Sequence, residues 1–246
     1  MKLTVVGFWG AYPEVDSATS CYLLEKDGYQ LLLDCGSGAL AQLPKYTTVM
    51  DLDAVFVSHY HQDHIADLGV LQYHFLVQNA IHHTKKVLPI YGHCEDEKAF
   101  AKLNHQATKG MAYFPNERVD IGPLTITFLR TKHPVPCYAM RITDGESTVV
   151  YTADSSYQDT FIPFAKNADL FITDCSFYKG QNATGAGHMT SEESAIIAKK
   201  ACVSHLLLSH HPHFGDRKQL KKEAASVYQG KINLAESGFQ WQPSSS

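Results

Sequence analysis

Three imidazoles and a carboxylate stand within six consecutive residues, at His59, His61, Asp63 and His64. Neutral imidazole and carboxylate are preferred ligands for zinc and similar divalent ions. The segment follows the apolar run Asp53-Ala54-Val55-Phe56-Val57, whose length and β-branched content read as a buried strand. Ligands presented where a strand leaves the core stand on a rigid support. His59 and His61 alternate, so in extended backbone both project to one side. Asp63 and His64 follow in the turn and can face a second ion. A solvated, merely His-rich loop is the competing explanation, and 14 His in the chain make some clustering expected. The preceding strand and the His-x-His-x-Asp-His spacing favour a metal site.

Further ligand types recur at the ends of other strand-like runs. His133 lies just past a strand ending near Leu129, Asp154 just past Val149-Val150, and His210 directly after Leu206-Leu207-Leu208-Ser209. Each alone reads as an ordinary turn residue. Together they are the arrangement that a two-ion site needs.

These residues must be positioned by a layered scaffold. Lys26-Asp27-Gly28 between the apolar runs 21–25 and 29–33 predicts a β-hairpin. Asp34-Cys35-Gly36-Ser37-Gly38 then permits a sharp turn into a short helix at 39–43, with Pro44 helping to stop it. Helical spacing of apolar residues predicts a mostly buried helix over 65–77, and a strand at 87–92 precedes a solvated helix at 95–103. Residues 104–116 read as the least regular stretch. Strands are expected at 124–129, 137–142 and 148–151, the last two joined through Asp144-Gly145. A short helix at 161–165 and a strand at 170–173 follow. Thr190 or Ser191 caps an amphipathic helix at 190–201, with Glu192 and Glu193 in its favourable first turn. A strand at 206–209 and a helix at 216–228 complete the pattern. Strands first, then strands mixed with helices, predict two sheets covered by helices in a single domain over 1–241, with a disordered tail at 242–246.

Composition narrows the classes. Hydrophobic content of 44% across 246 residues supports a full core. A net charge of -4 supplies no global field for nucleic acid, so an RNA substrate would need local basic patches. No apolar run reaches the length of a membrane span, and Met1-Lys2-Leu3-Thr4-Val5-Val6-Gly7 does not read as a signal peptide. The six cysteines are scattered without a Cys-x-x-Cys pair, which suits reduced thiols. The expectation is a soluble, cytoplasmic protein with no membrane partner.

Over most of its length the chain resembles the metallo-β-lactamase superfamily, and within it the ribonuclease Z-like branch of tRNA 3′-processing endonucleases. Leu31-Leu32-Leu33-Asp34-Cys35-Gly36 is similar to the first motif and His59 to His64 to the second. His133, Asp154 and His210 match the third, fourth and fifth. Gly187-His188-Met189-Thr190 resembles the His-Ser-Thr motif of ribonuclease Z. The resemblance implies an α/β four-layer αβ/βα sandwich, the metallo-β-lactamase fold. It implies one divalent ion on His59, His61 and His133, a second on Asp63, His64 and His210, and Asp154 bridging, with Asp34 supporting the ligand loop. Zinc is the first choice of metal, and manganese or iron suits the same ligands. It also implies a homodimer.

Two such ions can share a water and lower its pKa towards about 7. Two divalent ions against two carboxylates and one hydroxide leave net positive charge, which favours a phosphodiester substrate, RNA or small nucleotide, attacked by a metal-bridging hydroxide. His188 is the candidate for protonating the leaving oxygen or holding a phosphate oxygen, and Asp63 for relaying the water's proton. The chain departs from ribonuclease Z in carrying Gln62 where Gly is usual, and Ile65-Ala66-Asp67-Leu68-Gly69 where a Gly-Leu-Pro-Gly-like run is usual. No long basic Gly/Pro-rich arm is found. Lys85-Lys86, Lys199-Lys200 and the Arg217, Lys218, Lys221, Lys222 group are the remaining basic patches. The alternatives are therefore a small-molecule (cyclic nucleotide) phosphodiesterase without tRNA processing activity, or a non-catalytic metal-binding protein. His211, beside His210, is expected to turn away from the ions.

Overall fold

The computed structural model describes residues 1–243, and Met1–Phe114 with Glu236–Gln242 form one compact unit, Pro115–Ala235 a second. The tail expected at 242–246 lies outside the described residues from 244 onward. In the first unit the strands are β1 (Lys2–Gly7), β2 (Cys21–Lys26) and β3 (Tyr29–Leu33), then the short helix α1 (Ala39–Gln42). β4 (Ala54–Phe56), α2 (Gln62–Ile65), α3 (Leu68–His82), β5 (Leu88–Gly92), α4 (Glu97–Ala101) and β6 (Thr108–Ala112) follow. The β2–β3 hairpin turns at Asp27 and Gly28, both with positive φ, the conformation that matches strand twist in a two-residue turn. From β3 onward each neighbour is parallel, β3 to β4, β4 to β5 and β5 to β6, with helical segments in the crossovers. Val6, Leu23, Leu32 and Val55 of the sheet share a core with Leu71 and Phe75 of α3. Each such fully buried Leu, Val or Phe contributes about 1.5–3 kcal/mol, which fixes the sheet edge from which ligands project.

The second unit runs β7 (Arg118–Ile121), β8 (Leu124–Arg130), β9 (Tyr138–Thr143), β10 (Thr148–Tyr151), α5 (Phe161–Phe164) and β11 (Leu170–Asp174). It continues with α6 (Ser191–Lys200), β12 (His205–Ser209), α7 (Arg217–Ala225) and β13 (Lys231–Leu234), after which β14 (Gln240–Trp241) rejoins the first sheet beside β1. β8 and β10 are both antiparallel to β9, and β11, β12 and β13 run parallel to β10. The C-terminal ends of β8, β10, β11 and β12 therefore share one edge. Helix α6 starts with a capping box: the Thr190 hydroxyl accepts the Glu193 N–H, and the Glu193 carboxylate accepts the Thr190 N–H. Val150, Phe171, Leu206 and Leu208 of the sheet pack with Ala195, Ile197 and Ala198 of α6 and Leu220 of α7.

Each unit is thus a mixed sheet carrying helices, the α/β class expected. The irregular stretch at 104–116 contains β6, whose Thr-Lys-Gly-Met-Ala lacks β-branched alternation and is strand only because β5 pairs with it. β7, β13 and β14 escape sequence reading for a related reason: they are short and lie at or next to sheet edges. Helix α3 runs to His82, five residues beyond the spacing signal, because its C-terminal turns are largely exposed and need no inward periodicity. All six cysteines are free thiols. Among the described residues, no helix is long and apolar enough to cross a membrane.

Candidate metal centre

In the first unit, four predicted ligands gather at the ends of β3 and β4. The His59 ring centroid is 4.8 Å from that of His61 and 4.1 Å from that of His64. Asp63 and His64 lie in the single turn of α2 rather than in an open loop, and the carboxylate Oδ2 of Asp63 is 3.6 Å from His64 Nε2. The support is Asp34, which is fully buried and has a positive φ just past β3. Its carboxylate accepts the Ser58 N–H at 2.7 Å, the Ser58 O–H at 2.8 Å and the His64 Nδ1–H at 2.7 Å. The Ser58 oxygen in turn accepts the His59 Nδ1–H at 3.0 Å. A carboxylate has no proton to give, so these contacts set the tautomer: Nδ1 carries hydrogen, and the Nε2 lone pair is the one presented to a cation. Asp63 is oriented from a third direction, since its Oδ2 accepts the N–H of Ala11 at 2.9 Å.

The second unit repeats the device. His133, Asp154 and His210 stand past the ends of β8, β10 and β12, on the shared edge. Asp154 lies between the two rings, its Oδ2 3.9 Å from His133 Nε2 and its Oδ1 3.4 Å from His210 Nε2. The Nδ1–H of His133 is donated to the Gly187 carbonyl at 3.0 Å. The Nδ1–H of His210 is donated to Ser176 Oγ at 2.7 Å, and that hydroxyl is donated to Asp174 Oδ1 at 2.6 Å. His188 gives its own Nδ1–H directly to Asp174 Oδ2 at 2.7 Å, and its ring stacks on that of His210 at 5.2 Å. Asp174 ends β11 and is buried. The donor atoms of Asp154, Asp174, His188 and His210 lie within 4.8 Å of one another. Asp174 already receives Ser155 N–H, Ser176 N–H, Ser176 O–H and His188 Nδ1–H, so it is better fitted to orient rings than to bind an ion.

Within each unit, then, the donors are borderline nitrogens and hard oxygens, largely buried, with the rings of His59, His64, His133, His188 and His210 fixed by oxygen acceptors. This is the environment that metal-binding histidines need, and it fits a divalent cation. Backbone strain concentrates here as well: Ala11, Asp34, Ala153 and His210 all hold positive φ. Sequence reading missed Asp174, Ser58 and Ser176. The signal for Asp174 was present, a carboxylate at a buried strand's end as at Asp154. The two serines had none, because a hydroxyl relay is visible only in three dimensions. His211 is fully buried, donates Nε2–H to the Leu208 carbonyl at 2.8 Å, and burial pulls its pKa down to about 3.

Two glycines are required by close approach. A Cβ at Gly36 would collide with the Asp63 carbonyl oxygen and the Thr19 hydroxyl. One at Gly187, whose φ is +82°, would collide with the Pro134 ring and lie 2.9 Å from His133 Nδ1.

Residues 29–211 match the family described as a beta-lactamase superfamily domain. The probable metallo-hydrolase YhfI of Bacillus subtilis is 54% identical to this chain, across 98% of it and all of its own length. A crystal structure of the metallo-beta-lactamase fold protein YhfI from the same organism superposes with a TM-score of 0.96 over 98% of both chains. Ribonuclease Z of Haloferax volcanii is 26% identical over 97% of this chain and 93% of its own.

Proposed function

Because the chain belongs to the metallo-β-lactamase superfamily, in its ribonuclease Z-like branch, we propose that it is a metal-dependent phosphodiesterase whose hydrolase domain spans 1–241. In this reading His59, His61 and His133 hold one divalent ion, zinc by first preference, and Asp63, His64 and His210 hold a second, with Asp154 serving both. The observation that carries it is the tethering of five imidazoles through Nδ1 to oxygen acceptors, two of them by Asp34 and two by Asp174, directly or through a serine. Bound there, the ions would supply an acidified water and positive charge against phosphoryl oxygens.

The chain's own groups do the remaining work. Asp63, its Oδ2 held by the Ala11 N–H, accepts the proton of the attacking water. His188 carries a proton on Nε2 and delivers it to the leaving oxygen, while Asp174 holds the ring and stabilises its charged form. The role resembles that of the carboxylate behind a catalytic histidine, which orients the ring without itself taking the proton. The protein is further read as a cytoplasmic homodimer.

Between substrates, the net charge of -4 favours a small diester such as a cyclic nucleotide over a long RNA, whose affinity grows with the number of phosphates neutralised. The test is to measure bound metal and then turnover of bis(p-nitrophenyl) phosphate, a 3′-extended precursor tRNA and cyclic AMP, with His64→Ala as control. Diester turnover that depends on metal and is lost in His64→Ala is the expected result. Absence of bound metal, or metal without diester turnover, overturns it. Cleavage of the precursor tRNA assigns the larger substrate.

A further inference from the structure

A row of aromatic rings leads away from the proposed proton donor. The His188 ring lies 5.2 Å from that of His210, stacked at 22°, and 6.2 Å from that of Phe177, tilted at 35°. Phe177 in turn stands 6.4 Å from Phe214, edge to face, and Phe214 stands 5.8 Å from Tyr178. These separations are those of aromatic rings in favourable contact. Exposure grows along the row, from buried His210 through half-buried His188 and Phe177 to Phe214, which is 49% exposed. All five residues belong to the second unit.

A single exposed phenylalanine is ordinary on a protein surface. Two features separate Phe214 from that case. Of Phe177, Tyr178 and Phe214, only Tyr178 packs against the described core of the unit, so core cover does not account for the two phenylalanines. Both are also held through their backbone. The Tyr178 O–H donates to the Phe214 carbonyl at 2.9 Å. Gly215 follows at φ +77°, so close that a Cβ there would lie 2.6 Å from the Tyr178 ring. The Phe177 N–H donates to the Met189 carbonyl at 3.3 Å, and the Phe177 carbonyl accepts the Ser191 N–H at 3.0 Å. Those two bonds keep Phe177 in register with the segment that carries His188. A rigid aromatic face loses little entropy when a ligand settles on it.

We propose that Phe177 and Phe214 form a stacking platform for the nucleobase of a mononucleotide, beside the leaving oxygen that His188 protonates. The inference rests on the diesterase reading and names its substrate class as a nucleoside phosphate. The substituent on the leaving oxygen lies on the outer side of His188, where the next surfaces met are aromatic. With the two rings at 64° to each other, a planar base lies flat on one and meets the edge of the other. Every base has a π-face, so the platform is tolerant of which base it receives. A single nucleotide suits it better than a strand. A strand needs successive platforms along a positively charged groove, and the chain carries a net charge of -4.

The test uses the intact, metal-loaded protein and 2-aminopurine ribonucleoside 5′-monophosphate, whose emission is quenched when its base stacks. AMP and ribose 5-phosphate, which share a phosphate and differ by the base, serve as displacing ligands. The expected result is quenched emission in the wild type, with AMP displacing the probe at about 5- to 150-fold lower concentration than ribose 5-phosphate, the range that stacking of one base supplies. Phe214→Ala should bring the two within about fivefold and recover the emission, while Phe214→Trp should keep both effects. Equal displacement by AMP and ribose 5-phosphate in the wild type, or no binding of the probe, overturns the platform. A base preference that survives in both Phe214→Ala and Phe177→Leu also overturns it, and leaves the cleft lined by Tyr60, Gln62 and Gln72 in the first unit as the place of the base. Turnover of bis(p-nitrophenyl) phosphate separates these failures from failure of the diesterase reading. Turnover without a base preference removes the platform alone. Base-dependent quenching without turnover removes the diesterase reading and leaves the platform as a nucleotide-binding site.

Discussion

Asp174 accepts the Nδ1 hydrogen of His188 at 2.7 Å, the same distance at which Asp34 accepts that of His64. Both carboxylates follow or end a buried strand, and both reach a second imidazole through a serine hydroxyl. Replacing either by Asn removes the charge and puts an N–H₂ where an acceptor is needed. Asp34→Asn should lower metal affinity about 10–100-fold, read by competition with a chromophoric chelator. Unchanged affinity would mean that Asp34 has no part in ordering His59 and His64.

His188→Ala should separate substrates by leaving group. A proton donor to the leaving oxygen matters little for p-nitrophenolate, which departs unprotonated, and much for an alkoxide. The expectation is a fall of about 10²–10⁴ in kcat on an alkyl or nucleoside diester and less than about tenfold on bis(p-nitrophenyl) phosphate. Equal losses on both would assign His188 to phosphate binding instead. Asp174→Asn should follow the same pattern more weakly.

How much of this was legible in the sequence depends on the kind of signal each residue leaves. The ligand types at His59, His61, Asp63, His64, His133, Asp154 and His210 stand out because they fall at, or within a few residues after, the ends of runs of buried β-branched or leucine residues. The strands that carry them were legible for the same reason. β6 and β7 were not: a Lys-Gly pair in the one and alternating charge over four residues in the other carry no signal until a neighbouring strand pairs with them. Ser58 and Ser176 were invisible for a different reason, since a relay depends on which ring lies beside the hydroxyl.

Gly36→Ala should damage the centre without touching a donor atom. The added methyl meets the Asp63 carbonyl and the Thr19 hydroxyl, so α2 must shift, carrying Asp63 and His64 with it. Loss of metal affinity with a Tm lowered by several degrees is expected, consistent with an overpacking cost of about 1–3 kcal/mol. Retention of full metal content in Gly36→Ala would show that the turn can relax independently of α2.

His205 supplies a pH dependence away from the ligands. Burial first, then the positive charges of Lys231 and Lys221, hold its pKa below the ordinary 6.5, although the hydrogen bond to Asn233 raises it somewhat. The unfolded chain therefore binds this proton more readily than the folded one. Stability from this group is intact above about pH 6.5 and is lost as pH falls towards the folded value. Denaturant melts at falling pH should show a shallower decline for His205→Gln than for the wild type. Parallel curves would remove His205 from the account.

The rings of His59, His64, His133 and His210, four of the five proposed ligand imidazoles, are clamped by groups that the fold itself supplies. Their rotational freedom is given up when the chain folds, and none is left to surrender when an ion arrives. Metal loading should then be limited by how fast the ion sheds its own water, with no slow protein phase behind it. Chelation should leave the near-ultraviolet circular dichroism almost unchanged, in contrast to small zinc domains that unravel when stripped.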